Sequence, residues 1–306
     1  MPSTKTEVSV ASHLSLLLVQ VIFASLPVAG KLALEGFDRL AIAAWRVLVG
    51  AAFLILAARL LHPDRWWLSA RETVWALVLS ILGVTINQVF FIEGLSRSTA
   101  VNVGLIIAII PICTYAFALL LGQETFSYSR GLGMFLALAG TGQLFIFRGA
   151  EISPEHLLGN LLILVTAISY SLYLVLARPL LTRRPPLVVV AWIFVLAVPV
   201  VPLIAWGRPW YPPDAILKAK LSLLWILLFP TILAYFLNSW VLSRVSASVT
   251  AVYIYLQPVL SSVAAVIILR ESFGPRELLC AVLVFAGIHL VSRRLIDRPR
   301  ANQVHT

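Results

Sequence analysis

The sequence predicts an all-α integral membrane protein with ten transmembrane helices, built as two five-helix repeats of inverted topology. Three observations predict it. Of 306 residues, 60% are hydrophobic and 12% charged, with a mean hydropathy of +0.97; an ordinary soluble domain carries about 25% charge. Apolar runs of roughly 18–23 residues recur along the whole chain, each long enough to cross a hydrocarbon core of about 30 Å as a helix. A shift of 147 residues brings residues of unusual type into register without a gap.

The first run, about 12–34, follows Lys5 and has the look of a signal-peptide core as well. Nine similar runs follow it, which favours a span. The second, about 39–61, stops at "HPDR", residues 62–65. The third and fourth cover about 73–94 and 100–121, with Pro111 breaking the latter. The fifth, about 130–147, is rich in glycine. The sixth, about 157–178, ends before the polar stretch Thr182 to Pro186. The seventh and eighth cover about 187–206 and 220–242. The ninth, about 248–269, contains Pro258, and the tenth covers about 276–293. The domains are then a cytoplasmic segment 1–11, repeats 12–148 and 149–293, and a basic tail 294–306.

Net charge is +10, but Lys and Arg stand singly at the ends of apolar runs. That pattern fits a membrane protein and no nucleic-acid partner. The side with more of them holds Lys5, Arg59, Arg65, Arg71, Arg183, Arg184 and the basic tail. Both termini are therefore expected in the cytoplasm, with the chain in the cell's inner (plasma) membrane. Cys113 and Cys280 lie inside apolar runs, so no disulfide framework is expected.

The 147-residue shift places Glu124 on Glu271, Phe126 on Phe273 and Pro111 on Pro258. It also places Ser96-Arg97 on Ser243-Arg244, Gly140 on Gly287, Trp45 on Trp192 and Lys31 on Arg178. Chance matching of apolar residues does not deliver Pro, Glu, Arg and Trp at one shift. Five spans per copy is an odd number, so the second copy enters the membrane upside down. Inverted repeats of this kind build transporters with the substrate site near the midplane.

The chain here resembles the EamA-type transporters of the drug/metabolite transporter superfamily. The resemblance rests on "VAGKLAL" closing the first span, on Arg46 in "AAWRVLVGAAF", and on "GQETFSYSRGLGMFLALAGTG" and "LRESFGPRELLCAVLVFAGIHL". It covers about 12–292 and implies two five-helix repeats and efflux of amino acids, other metabolites or toxic compounds. Export is implied by the resemblance alone. The second copy departs from the pattern, with Ile193 at the position of Arg46 and Cys280 at that of Gly133.

Inverted geometry puts Glu124 at the cytoplasmic face and Glu271 at the outer face. Lys31 ends the first span outside, and Arg178 ends the sixth inside. Each face then carries one acid and one base from opposite halves: Lys31 with Glu271, and Arg178 with Glu124. These residues either latch the faces as gates or cap helices, the glutamates accepting N–H bonds at a helix start. No Asp or Glu lies near the middle of a span, so facilitated diffusion or exchange is as well supported as proton antiport. No nucleotide-binding motif is present, and no cofactor or metal is expected.

Polar and aromatic residues near the midplane are Asn87, Gln88, Asn102, Tyr170, Tyr173, Tyr235 and Asn238, with Tyr253, Gln257 and Ser261 on the ninth span. The last three fall at i, i+4 and i+8 and share one helical face. Each singly is as readily explained by bonding between packed helices; as a set they line a cavity. Tyr, Asn and Gln suit a neutral or zwitterionic solute with an apolar part, an amino acid foremost. Aromatic faces also suit an organic cation. A phosphorylated substrate would need several buried bases. The reading is a secondary transporter working by alternating access, a monomer in the bilayer with a small-molecule substrate. A membrane enzyme would need clustered His, Asp or Ser groups, and the five histidines are dispersed. A non-transporting scaffold is the other alternative.

Overall fold

A computed structural model describes residues 10–147, 154–260 and 274–292 as helices and short connections, with no strand among them. Among these residues, seven helices are long and apolar enough to cross a membrane: α1 Val10–Leu34, α2 Arg39–Leu61, α3 Ala70–Ser96, α4 Val101–Leu120, α6 Pro154–Leu181, α7 Pro186–Ala205 and α8 Leu217–Leu242. Three more occupy the remaining expected positions: α5 Tyr128–Phe147, α9 Ala247–Leu260 and α10 Pro275–Ser292. Among the described residues, seven of the ten expected spans are thus helices long and apolar enough to cross a membrane, and the other three positions hold helices that are shorter or less apolar.

The composition of α5 has a packing reason. A Cβ on Gly133 would meet the Gly287 carbonyl oxygen at 2.7 Å, and one on Gly287 would meet that of Gly133 at 2.4 Å. Small residues let α5 and α10 approach backbone to backbone, the usual device where no hydrophobic force separates protein from lipid.

Helix starts are fixed by side chains. Asp38 accepts the N–H groups of Leu40 and Ala41 to begin α2. Ser69 and Glu72 form a reciprocal cap on α3. Glu72 also takes a two-pronged bond from Arg184, 2.7 Å on each oxygen, tying the α2–α3 and α6–α7 connections together. At the other end Arg208 pairs with Asp38 (3.1 Å), and Glu93 pairs with Arg39 and Arg97. Glu93 is thus held in ion pairs near a helix end. Tryptophans mark both ends. Trp45 Nε1 donates to the Trp210 carbonyl (2.9 Å), and Trp192 Nε1 to that of Trp66 (2.6 Å).

Several local bonds recur 147 residues apart. Lys31 Nζ donates to the Ser98 carbonyl (2.8 Å), and Arg178 Nε to the Val245 carbonyl (2.9 Å). Thr99 caps the start of α4 by accepting the Asn102 N–H, and Ser246 caps α9 by accepting that of Val249. Wide π-turns interrupt α3 at Ile81–Ile86 and α8 at Leu227–Leu233. Wide turns of this kind free backbone groups and often mark functional positions.

Candidate functional site

A cavity with about 740 Å³ of empty space, mouth included, lies among α1, α2, α3, α4, α6, α8 and α9. Its polar lining comes from both halves of the chain: Gln20, Arg46 and Asn87 from the first, and Thr166, Tyr170, Tyr235, Asn238, Thr250 and Gln257 from the second. Phe23, Phe91, Ile107, Ile110, Leu174 and Ile254 supply much of the apolar wall.

Hydrogen bonds between the halves around this space include three links made by side chains of Arg46, Tyr235 and Gln257. Arg46 Nε donates to Thr231 Oγ1 at 2.9 Å. The Tyr235 hydroxyl bonds the Gly83 carbonyl at 2.8 Å and Asn87 Oδ1 at 3.0 Å. Gln257 Nε2 donates to Gln20 Oε1 at 2.9 Å. Thr231 and Gly83 both sit in the π-turns. The widened backbone of each helix thus presents a polar group toward the other half, within an otherwise apolar bundle.

The sequence-predicted residues divide. Asn87, Tyr170, Tyr235, Asn238 and Gln257 line the cavity, and Asn238 Nδ2 donates to the Tyr170 hydroxyl at 3.0 Å. Gln88 and Asn102 are buried outside the lining. Tyr173 stands behind it. Its ring stacks on Tyr170, centroids 5.7 Å apart, and fills the space where Gly83 has no side chain. Ser261 and Glu271 lie outside the described residues.

The stripe expected on α9 is corrected by one position. Tyr253–Tyr255 form a tighter 3₁₀ turn, with three residues per turn instead of 3.6. This rotates the helix, so Thr250, Ile254 and Gln257 face the cavity. Tyr253 turns away, and its hydroxyl contacts His13 Nδ1 on α1.

The cross-half pair of Arg178 with Glu124 is corrected too. Glu124 instead binds Arg130 at 2.6 Å, and its other oxygen accepts the Ser248 N–H at 3.1 Å. Arg178 spends its Nε on Val245. Both side chains converge on the start of α9 without pairing. Lys31 is held by Ser98, while its expected partner Glu271 is not among the described residues.

Sequence reading missed Gln20, Thr166 and Thr250, and left Arg46 outside the site. Short polar residues on apolar helices give little signal of which face is lined. Arg46 was visible as an unusual base within a span, but its depth was not; it is 1% exposed. Among the described residues no group of His, Cys, Asp or Glu could hold a metal.

A largely apolar cavity with a few polar groups, walled mainly by helices long and apolar enough to cross a membrane, fits one class: an integral membrane transport protein. Comparison with known proteins gives the family. The EamA-like transporter family matches the chain twice, over residues 11–146 and 157–293, and the chain belongs to it. Among its relatives, a probable terminal-alkyne amino-acid exporter of Streptantibioticus cattleyicolor is 24% identical over 94% of this chain and 95% of its own length. The uncharacterized transporter YcxC of Bacillus subtilis is 26% identical over 71% of this chain and 72% of its own. A WAT1-related protein of Arabidopsis thaliana is 24% identical over 73% and 67%. A solved crystal structure 20% identical in sequence superimposes with a TM-score of 0.74 over 93% of this chain and 99% of that one, a likeness of fold.

Proposed function

We propose that the chain is a secondary carrier that moves small neutral or zwitterionic metabolites, amino acids foremost, outward across the inner membrane. The observation that carries this reading is the cavity where Arg46, Asn87 and Gln20 of the first half meet Thr231, Tyr235 and Gln257 of the second. A site whose bonds cross between two halves is remade whenever the halves move relative to each other, which is what alternating access requires. The double family match and the bonds recurring 147 residues apart support two five-span repeats. Inverted topology with cytoplasmic termini follows from the odd span number and the basic bias. Outward transport is supported by one relative, the probable terminal-alkyne amino-acid exporter. Among the described residues the cavity lining contains no carboxylate and no histidine, which favours exchange or facilitated diffusion over proton coupling at the site. One chain supplies the whole described lining, so the site needs no residue from a second copy.

Counterflow of radiolabelled amino acids in liposomes holding only the purified protein tests the reading. Amino-acid-loaded vesicles should accumulate label faster than protein-free ones. Tyr235→Phe, which removes the two bonds that this hydroxyl makes across the halves, should slow it. Flux equal to that of empty liposomes for every amino acid tried would sink the proposal.

A further inference from the structure

Among the described residues the lining of the cavity carries one full charge and no opposite one. Arg46 is 1% exposed, deep in the membrane-spanning bundle, and forms part of the cavity wall. Among the described residues no carboxylate lies within ion-pair distance of it. Its assigned bond is from Nε to a neutral hydroxyl, Thr231 Oγ1. A guanidinium has five N–H donors in a planar fork. Burying it without an anion is costly in a low-dielectric interior, and charges kept at membrane depth mark the substrate path.

We infer that Arg46 is the anchor for a carboxylate on the substrate, so the cavity selects monocarboxylates with an apolar body. The planar fork of Arg matches a carboxylate with two parallel bonds. The Thr231 tether orients the fork by holding Nε. The apolar walls from Phe23, Phe91, Ile110 and Ile254 suit an aliphatic or aromatic remainder. The amide oxygens of Gln20 and Asn87 accept one bond each, from Gln257 and Tyr235. Each keeps a second lone pair for an ammonium group, so an α-amino acid is accommodated as a zwitterion. An organic cation would bring a second positive charge beside Arg46 with no carboxylate on the wall to offset it, and the aromatic faces alone do not reverse that repulsion. The site is lopsided: the residue 147 positions on from Arg46 is Ile193, which is buried at 1% exposure and lies outside the cavity lining. The anchor therefore belongs to the first half alone.

This inference rests on the carrier reading but is tested by binding, without flux. Thermal stabilisation of the purified full chain is titrated with four probes of one shape: L-leucine, 4-methylpentanoate, L-leucinamide and 3-methylbutylamine. Ligand-dependent stabilisation gives a dissociation constant for each. Leucine and 4-methylpentanoate should bind about 10- to 100-fold more tightly than the two probes without a carboxylate. Arg46→Gln should reduce that preference to about threefold or less, and Arg46→Lys, which keeps the charge without the fork, should fall between. If Arg46→Gln does not fold, the four probes on the wild type and on Arg46→Lys still decide. Leucinamide binding as tightly as leucine to the wild type would overturn the anchor, as would a preference unchanged in Arg46→Gln. Carboxylate-selective binding without liposome flux would instead sink the carrier reading and leave Arg46 in its role.

Discussion

Glu124 accepts a hydrogen bond from the backbone N–H of Ser248 at 3.1 Å, so a carboxylate of the first half caps a helix of the second. The capping role considered from sequence falls here on a helix of the other half, and Arg178, the partner expected for a latch, bonds Val245 instead. Gly122, at φ +65°, makes it possible. Its left-handed turn closes α4 and lets the Gln123 and Glu124 N–H groups bond back to the Ala118 carbonyl. Tyr115 then pins the returning chain by accepting the Ser127 N–H at 2.7 Å. Arg130 neutralises the carboxylate from its own half, with side chains 13% and 4% exposed for Arg130 and Glu124.

Removing Glu124 should therefore both destabilise and loosen this end. Glu124→Ala is expected to cost about 1.5–3 kcal/mol, the range for bonds to a charged group. Thermal unfolding in detergent measures it. Ala247→Cys, placed where the wild-type residue is 1% exposed, should gain maleimide reactivity when Glu124 is removed. A double-mutant cycle should find coupling of about 1 kcal/mol or more between Glu124 and Arg130, and under about 0.5 kcal/mol between Glu124 and Arg178. The opposite ranking would restore the pairing expected from sequence.

Glycine substitutions should separate by packing. Gly287→Ala is expected to cost about 1–3 kcal/mol, because its Cβ has no room against the Gly133 carbonyl. Gly142, with nothing within 4 Å of a built Cβ, should accept alanine and gain about 0.5–1 kcal/mol from helix propensity. Melting temperatures of the two variants check this directly. Equal destabilisation would argue against the close approach of α5 and α10.

The rotated register of α9 makes a transport prediction. Gln257→Ala should raise the KM for an amino acid several-fold, about 1 kcal/mol of lost bonding, while Tyr253→Phe should leave it within twofold. Vesicle flux at varied substrate concentration reads both. Should Tyr253→Phe impair KM as much as Gln257→Ala, the cavity would include the face first expected.

Topology can be read by labelling on a background lacking Cys113 and Cys280. A membrane-impermeant maleimide applied to whole cells should reach Asp214→Cys and miss Ser69→Cys. The ion pairs agree with this division: Arg208 meets Asp38 at one end, and Arg184 meets Glu72 at the other. Strong labelling of Ser69→Cys from outside would reverse the proposed orientation.

Much of this protein is decided by sequence alone. The placement of the apolar runs follows from hydropathy summed over neighbouring residues, a local property that no tertiary contact alters. The 147-residue shift is likewise visible without coordinates, because matched Pro, Glu and Trp do not depend on packing. Of the polar residues named from sequence, Asn87, Tyr170, Tyr235, Asn238 and Gln257 reach the cavity, while Gln88, Asn102, Tyr173 and Tyr253 do not. That division is tertiary. A single 3₁₀ turn at Tyr253–Tyr255 changes which face of α9 looks inward, and the π-turns aim Thr231 and Gly83. Partner choice is tertiary as well. Arg46 meets Thr231 and Glu124 meets Ser248 because packed helices bring distant residues within 3.1 Å. Neither partner is encoded near the residue it binds, since a hydrogen bond of this length depends on the rotation of two helices about their axes, and that rotation is fixed by the packing of the whole bundle.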